Sequence, residues 1–260
     1  MKERDEMGRK GGSLHLKREV APRLWPLHRK EFTWAAKPRP GPHPVHQCVP
    51  LIVIVREFLG LAKTRKEAKK IISQGKILVD GKVRRDERFP AGLMDVVSIP
   101  ELKKHYRVLP SEKGLFLHPI DEKESKFKIC RIENKKTLSK GKVQLDLHDG
   151  RSILIHVKNP RDPVEDVYRA LDTLELSVPD QEILEHLKLG KNMLVSFVDG
   201  NNIGRYGTIT SIEEQTGEKR RNFLVAIEDE KGRTFRTVLR YAFVVGDKTP
   251  RISMPGVDGE

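Results

Sequence analysis

Residues 60–83 constrain the fold of this chain more tightly than any other segment. Thr64 and Glu67 have the spacing of a capping box, in which each side chain accepts a hydrogen bond from a backbone N–H of the first helical turn. Gly75 is placed for the left-handed residue that ends such a helix. The Asp80-Gly81 pair is a strong signal for a two-residue hairpin turn. The sequence therefore predicts a short capped helix joined directly to a tight β-hairpin.

The predicted helix has one apolar face and one basic face. At about 100° per residue, its apolar residues Ala68, Ile71 and Ile72 fall on one side. The polar residues share an opposite arc of about 140° and are Arg65, Lys66, Lys69, Lys70 and Ser73. A charged helix face is often only a solvated face, so the pattern alone leaves that interpretation open.

Positive charge is concentrated in the first third of the chain. Residues 1–90 contain 22 Lys and Arg against 10 Asp and Glu, a net charge of +12, whereas residues 91–260 have a net charge of only +1. Solubility does not require such an uneven distribution of charge. A polyanionic ligand bound by the N-terminal third of the chain would explain it.

Composition excludes several other classes of protein. Cys48 and Cys130 have no CxxC spacing, so neither a disulfide framework nor a structural zinc site is expected, and a reducing compartment fits. His43, His46 and Cys48 lie among prolines without a second ligand pair, so we expect no metal there and no cofactor. The longest apolar run, residues 49–55, is far shorter than the ~20 residues of a membrane span. The sequence predicts a soluble, cytoplasmic protein.

The chain divides into an arm and three small units. Residues 1–46 form a basic N-terminal arm with two tryptophans, and too little apolar surface to order alone. It is either a flexible tail or an arm that orders against RNA and packs its aromatic rings on the globular part; the tryptophans favour the arm. The remaining divisions are residues 47–110, 111–189 and 190–246, followed by a tail, 247–260.

Local patterns predict most of the strands in the later units. Residues 143–147 and 153–157 alternate around Asp149-Gly150, which indicates a hairpin. After residue 190, five short strands with tight glycine turns indicate a small barrel. Residues 50–60 fit a strand or a helix, and so do residues 183–189, because their periodicity does not decide.

No constellation indicates catalysis. Gly200, Gly204 and Gly207 lack both the spacing of a nucleotide-binding loop and a following helix, so they indicate a turn between strands. Asp146, His148 and Asp149 fall at a predicted hairpin and are interpreted as turn residues rather than a nucleophile–base pair. We therefore expect no enzyme activity and no small-molecule substrate.

Residues 60–81 resemble the alpha-L RNA-binding domain of ribosomal proteins, pseudouridine synthases and some tRNA synthetases. The match includes Gly60-Leu61-Ala62, Thr64-Arg65, Glu67-Ala68, Gly75 and Asp80-Gly81. Residues 198–212, with Gly204-Arg205-Tyr206-Gly207, resemble a KOW motif, a barrel element of ribosomal and transcription proteins.

The arrangement of these parts resembles one family, the small-subunit ribosomal protein four of the archaeal and eukaryotic type. The arm motifs His15-Leu16-Lys17-Arg18 and Gly41-Pro42-His43 carry this resemblance, as do residues 90–96 and 243–246. The implied fold is α+β and multidomain: an extended arm, a helix–hairpin alpha-L domain, a central β domain and a C-terminal SH3-like KOW β-barrel. The archaeal form fits because the sequence stops soon after Pro255.

The resemblance implies binding to small-subunit ribosomal RNA, contact with neighbouring ribosomal proteins, and no homo-oligomer. By position it assigns RNA contact to Lys63, Thr64, Arg65, Lys66, Lys69, Lys70, Lys76, Lys82, Gly204 and Arg205. Cations and one aromatic ring of the flanking segments complete the candidate RNA-binding residues: His15, Lys17, Arg18, Arg23, Trp25, Arg39, Arg84, Arg85 and Arg88. The alternatives are an RNA-modifying enzyme, which carries the same alpha-L domain, and a transcription elongation factor, suggested by the KOW match alone.

Overall fold

The computed structural model describes residues 15–139, 141–157, 166–216, 221–229, 232–247 and 249–255. In these ranges the chain is mostly β, with three five-stranded sheets and two two-stranded pairs. Apart from short 3₁₀ turns, helix in the described chain is confined to residues 51–73. The α+β class predicted from the sequence is therefore, in the structure, a mostly β protein with few helices.

The described part of the arm is ordered against the globular body. Its two short strands, β1 (Leu16–Lys17) and β2 (Trp34–Ala35), pair antiparallel. Trp25 is 3% exposed, and its indole Nε1–H donates to the Cys48 carbonyl at 2.5 Å. The aromatic ring therefore packs on the globular part, which is one of the two roles that the sequence left open for the arm.

Residues 48–120 form a helical layer against a sheet. A strand, β3 (Cys48–Pro50), leads into α1 (Leu51–Val53) and a π-helical turn, Ile54–Phe58. The ambiguous segment after Pro50 is thus helical. The other elements are α2 (Arg65–Ser73), β4 (Leu78–Val79), β5 (Lys82–Val83), β6 (Pro90–Gly92), β7 (Val96–Ile99), β8 (Lys104–Ser111) and β9 (Gly114–Ile120).

The sheet of this region has the order β5-β4-β7-β8-β9, while β3 pairs with β6. The antiparallel β8–β9 hairpin pairs Ser111 with Gly114, so it crosses the predicted boundary between residues 110 and 111. The backbone hydrogen bonds between β8 and β9 run from the pair His105–Ile120 to the pair Ser111–Gly114. Strands β7, β8 and β9 are therefore neighbours in one sheet.

The central sheet has the order β12-β11-β10-β13-β14. Its strands are β10 (Phe127–Leu138), β11 (Lys142–Leu147), β12 (Ser152–His156), β13 (Thr173–Ser177) and β14 (Ile183–Leu187). The hairpin predicted around Asp149-Gly150 is β11–β12, and the ambiguous segment from Ile183 is a strand.

The C-terminal sheet contains the five strands predicted from the sequence, in the order β18-β17-β16-β15-β19. They are β15 (Leu194–Phe197), β16 (Tyr206–Thr216), β17 (Arg221–Glu228), β18 (Thr234–Val238) and β19 (Ala242–Gly246). A 3₁₀ turn, Leu239–Tyr241, joins β18 to β19.

One apolar core joins the arm, the helical layer and the last strand. Trp25 and Ile72 share it with Phe243 from β19 and with Ile252 and Met254 from the tail. Polar groups reinforce the contact: Arg131 of β10 donates to the Arg240 and Ala242 carbonyls at 2.8 and 3.1 Å. Burial of apolar surface between the sheets therefore fixes their relative positions.

Candidate nucleic-acid interface

The helix α2 begins at the capping box that the sequence predicts. The Thr64 hydroxyl accepts from the Glu67 N–H at 3.3 Å, and Glu67 Oε2 accepts from the Thr64 and Lys63 N–H groups at 3.2 and 3.0 Å. These contacts hold the pKa of Glu67 below its usual value, because the carboxylate accepts from both backbone groups. Past the other end of the helix, Gly75 has the left-handed φ of +77°. The helix is therefore fixed at both ends.

The two faces of α2 are sorted as predicted. Ala68 and Ile72 are fully buried, and Ile71 is half-buried against the same core. The hairpin that follows turns at Asp80 and Gly81, whose φ angles are +50° and +69°. This pair of positive φ values is that of the tight turn preferred in two-residue hairpins.

Exposed cations without a carboxylate partner lie on the polar face of α2 and on the hairpin. We call them the helix–hairpin surface; within the described chain they are Lys66, Lys69, Lys70, Lys82 and Arg85. Since α2 and the hairpin are anchored by their buried faces, these cations are presented by a rigid frame. Because the cations are already held in place, this positive surface attracts a polyanion and needs no folding step on binding.

Most of the other predicted contact residues near this surface form ion pairs or ring contacts within the described chain, and Arg88 is the exception among those named below. Ion pairs at 2.7–3.2 Å join Arg65 to Glu87, Lys76 to Glu101, Arg39 to Asp86 and Arg205 to Glu112. The Arg84 guanidinium lies 4.3 Å from the Phe89 ring centroid, while Arg88 is half-buried without a carboxylate partner in the described chain. Exposed pairs are weak, on the order of 0–1 kcal/mol, so these cations remain open to exchange a carboxylate for a phosphate.

Two of the predicted contact residues of the arm, Arg18 and Trp25, are buried in the structure. Arg18 is 1% exposed, because its guanidinium turns inward to the His28 carbonyl at 2.6 Å and to Glu31 at 3.2 Å. Trp25 is buried in the core. Neither side chain is accessible to RNA in this structure, and both were predicted to contact it. The other predicted arm residues, His15, Lys17 and Arg23, are exposed.

Gly204 brings its loop close to the tip of the β8–β9 hairpin. A Cβ added there would lie 2.6 Å from Ser111 Cα, and the residue has a φ of +79°. Its neighbour Arg205 reaches Glu112 of the same hairpin tip and lies 4.6 Å from the Phe235 ring centroid. The surface that Gly204 approaches is therefore within this chain.

Beneath the interface lies a buried charge cluster that the sequence did not reveal. We call it the charged junction: Asp80, Asp95, Lys128, Asp149 and Arg151. Lys128 is 0% exposed, and its Nζ lies 3.0 Å from Asp80, 2.5 Å from Asp95 and 3.0 Å from Asp149. Arg151 Nε pairs with Asp149 at 3.0 Å and its Nη2 with Asp80.

The junction balances the cost of burial with opposite charges. Burial favours the neutral carboxyl, but the charges of His43 and Lys128 override it and hold the pKa of Asp95 well below its usual value. The same competition lowers the pKa of Asp149 to about 2, with Lys128 as the largest opposing charge. Attraction from the surrounding carboxylates raises the pKa of Lys128 despite its burial. The Asp95 and Asp149 carboxylates and the Lys128 ammonium are therefore ionised at neutral pH.

Two histidines complete the contacts around the junction. His43 Nε2–H donates to Asp95 at 3.0 Å, and Gly92 makes room for its ring, since a Cβ there would lie 2.3 Å away. His148 Nδ1 accepts from the Arg131 N–H and its Nε2–H donates to the Leu93 carbonyl, both at 3.2 Å. Burial, together with the charge of Lys128, lowers the pKa of His148 to about 3, so the ring is neutral.

The described residues contain no group of three or more His, Cys, Asp and Glu arranged to hold a metal ion. His43, a candidate ligand in the sequence, is directed to Asp95 instead, and burial raises the pKa of the Cys48 thiol to about 12. Among these residues no helix is long and apolar enough to cross a membrane.

A capped basic helix running into a basic hairpin over a β-sheet defines a class, the S4-domain proteins. The S4 domain model matches residues 49–97, which contain both elements. The model described as RS4NT (NUC023) domain matches residues 10–46, and the one described as Ribosomal family S4e matches residues 102–183.

Relatives over the whole length identify the family. Small ribosomal subunit protein eS4 of Aeropyrum pernix is 51% identical over 250 residues, which are 96% of this chain and 98% of that protein. The eS4 protein of Staphylothermus marinus is 49% identical with the same coverage. A crystal structure of 30S ribosomal protein S4e from Thermoplasma acidophilum superimposes with a TM-score of 0.63 at 28% identity, covering 77% of this chain and 96% of that one. The chain belongs to the eS4 family of small ribosomal subunit proteins, a family of structural proteins and not of enzymes.

Proposed function

We propose that this chain is a structural constituent of the cytoplasmic small ribosomal subunit and supports translation by binding folded ribosomal RNA. The observation that supports RNA contact is the helix–hairpin surface, where exposed cations without carboxylate partners stand on a frame capped at both ends. Neighbouring ribosomal proteins are its other partners, and the chain acts as a single copy.

The finer assignments belong to the same proposal. The divisions are an arm (1–46), an alpha-L RNA-binding domain (47–110), a central β domain (111–189), a C-terminal unit (190–246) and a tail (247–260). The C-terminal unit is an SH3-like barrel of the KOW type, supported by its five-stranded sheet and the tight approach of Gly204.

The mechanism of binding is electrostatic positioning followed by recognition of shape. Lysine ammonium groups on the helix–hairpin surface replace counterions on RNA phosphates, and the released counterions favour the complex. Phosphate contacts fix the orientation of the protein without reading sequence. Selectivity then comes from the shape of the folded RNA that fits the helix, the hairpin and the arm together.

Charge reversal on α2 tests the interface. We expect Lys69→Glu/Lys70→Glu to weaken binding to small-subunit ribosomal RNA of an archaeal relative about tenfold or more, because two phosphate contacts become repulsive. The slope of log affinity against log salt should also become shallower by about 1.5. Filter binding across a salt series measures both quantities, and thermal unfolding followed by circular dichroism should show an unchanged midpoint.

A matched control separates local contact from net charge. Lys188→Glu/Lys191→Glu makes the same charge change at two exposed lysines outside the interface and should leave the salt slope unchanged. Equal losses in both variants would mean that only net charge matters. Unfolding of the α2 variant would show that the two helix faces are wrongly assigned. In gradient fractionation of cell extract, sedimentation with RNA polymerase instead of the small subunit would contradict the proposed function.

A further inference from the structure

A groove between the arm and the helical layer has no role in the contacts described so far. Its volume is about 800 Å³, within the range of about 300–1,000 Å³ typical of ligand sites. Ile52 and Val53, both 3% exposed, are its apolar floor. Aromatic and cationic side chains surround this floor: Phe32, Trp34, Arg56, Arg65 and Arg88.

The aromatic wall is exposed but held in place. Phe32 and Trp34 are each 57% exposed, although neighbouring Trp25 is buried. Trp34 lies on β2, in register with Lys17 of β1. Beneath Phe32, the buried Arg18 guanidinium lies 5.3 Å from the ring centroid. The His15 ring lies 5.6 Å from the Trp34 ring, tilted by 54°, and more than half of Phe32 and of Trp34 stays exposed. Such exposed apolar patches commonly mark interaction sites.

The cationic wall has a free guanidinium on a fixed backbone. The Arg88 carbonyl accepts from the Arg39 N–H at 2.9 Å, and its own N–H donates to Asp86 at 3.0 Å. Its side chain has no carboxylate partner in the described chain. Arg65, paired with Glu87, lines the groove and is also the first residue of α2. The groove is therefore continuous with the helix–hairpin surface.

We propose that this groove holds one unpaired nucleotide of the bound RNA, with its base stacked on Trp34 and its phosphate against Arg88. The proposal rests on the proposed function and specifies where single-stranded RNA is bound. Aromatic rings stack on any base, and guanidinium groups pair with phosphate, so this combination fits a splayed nucleotide better than an apolar peptide. A duplex does not fit, since its bases are stacked and paired inside the helix.

Tryptophan fluorescence tests the proposal directly, because the chain has two tryptophans and one is buried. We expect a short oligouridylate to quench the Trp34 emission, and an RNA duplex of equal total charge to bind without quenching. Trp34→Phe should abolish the quenching but keep most of the affinity. Trp34→Ala should weaken oligouridylate binding about tenfold, the loss typical of one stacked base. Arg88→Gln should weaken it too and make the salt slope shallower by about one contact.

Controls distinguish a lost contact from a lost fold. The remaining Trp25 emission reports whether the core of each Trp34 variant is intact. Phe223→Ala removes a ring of comparable exposure, 43%, from β17 and should leave oligouridylate binding unchanged.

The failures of the two proposals are distinguishable. The groove site is overturned if Trp34→Ala binds oligouridylate with unchanged affinity. The proposed function still stands in that case if Lys69→Glu/Lys70→Glu loses affinity for ribosomal RNA. If the unaltered protein binds no RNA at all, both the groove site and the proposed function are overturned. Equal quenching by the duplex overturns the assignment to an unpaired nucleotide. If quenching requires removal of residues 1–14, that segment occupies the groove and the proposal is wrong.

Discussion

Replacement of Lys128 by Met is the sharpest test of how this fold is held together. The ammonium is fully buried and lies within 3.0 Å of Asp80, Asp95 and Asp149. After Lys128→Met, Arg151 still neutralises two of these carboxylates and His43 still donates to Asp95. The loss therefore corresponds to one broken buried ion pair, about 3–5 kcal/mol, and not to three.

Chemical and thermal denaturation measure this loss. For a chain of this size, a loss of about 3–5 kcal/mol lowers the midpoint of thermal unfolding by about 6–20 °C. Lys126→Met removes a lysine two positions earlier whose side chain is 71% exposed, and it should change stability by about 0.5 kcal/mol or less. Adding Asp95→Asn to Lys128→Met should restore about 0.5–3 kcal/mol, because it removes a buried negative charge that has lost its lysine partner and keeps only His43.

The pH dependence provides a second measurement of the same prediction. The pKa of Asp149 is about 2 in the folded protein and 3.8 by itself, so its contribution is complete above about pH 4 and disappears as pH falls through about 2. Without Lys128 this pKa rises, and acid unfolding should begin at higher pH. A Lys128→Met variant that matches Lys126→Met in stability and acid profile would refute the account of the junction.

Two further predictions concern His148 and Gly204. The neutral His148 ring, with its pKa lowered to about 3, binds a proton more readily in the unfolded chain, so stability should fall as pH decreases from 6.5 towards 3. His148→Asn should reduce that slope in urea titrations at several pH values, whereas the exposed His156→Asn should not. Gly204→Ala should destabilise the chain by about 2–4 kcal/mol, from positive φ and the clash with Ser111. Gly232→Ala is the control, because Gly232 has a φ of +72° but open space around it, so it should lose only the backbone strain energy, about 1 kcal/mol. Thermal unfolding measures both losses. Equal losses in the two variants would contradict the clash between residue 204 and Ser111.

Local features of the fold were predictable because their physics lies within a few residues. The capping box of Thr64 and Glu67, the turn at Asp80-Gly81 and the five C-terminal strands all occur where the sequence pattern places them. The segment after Pro50 was not decided locally. Its β-branched residues suit a strand, and burial of residues 51–55 against the core selects the helical form instead.

The charged junction could not be predicted from spacing. Lys128 is 48 residues from Asp80, 33 from Asp95 and 21 from Asp149, so no window of the sequence contains the cluster. Asp80 and Asp149 each precede a glycine, and turn formation explains each residue fully without a long-range partner. The burial of Arg18 could not be predicted for the same reason, since a buried arginine differs from an exposed one only through distant contacts such as Glu57.

The junction also explains why the interface is positive although carboxylates are abundant in the chain. In the hairpin turn, Asp80 is directed inward to Lys128 and Arg151, while Lys82, two residues later, is exposed. Buried cations thus neutralise the acidic side chains that would otherwise weaken the attraction for phosphate. Because the same turn anchors the hairpin to the central sheet, loss of Lys128 should disturb both the stability of the chain and the orientation of Lys82.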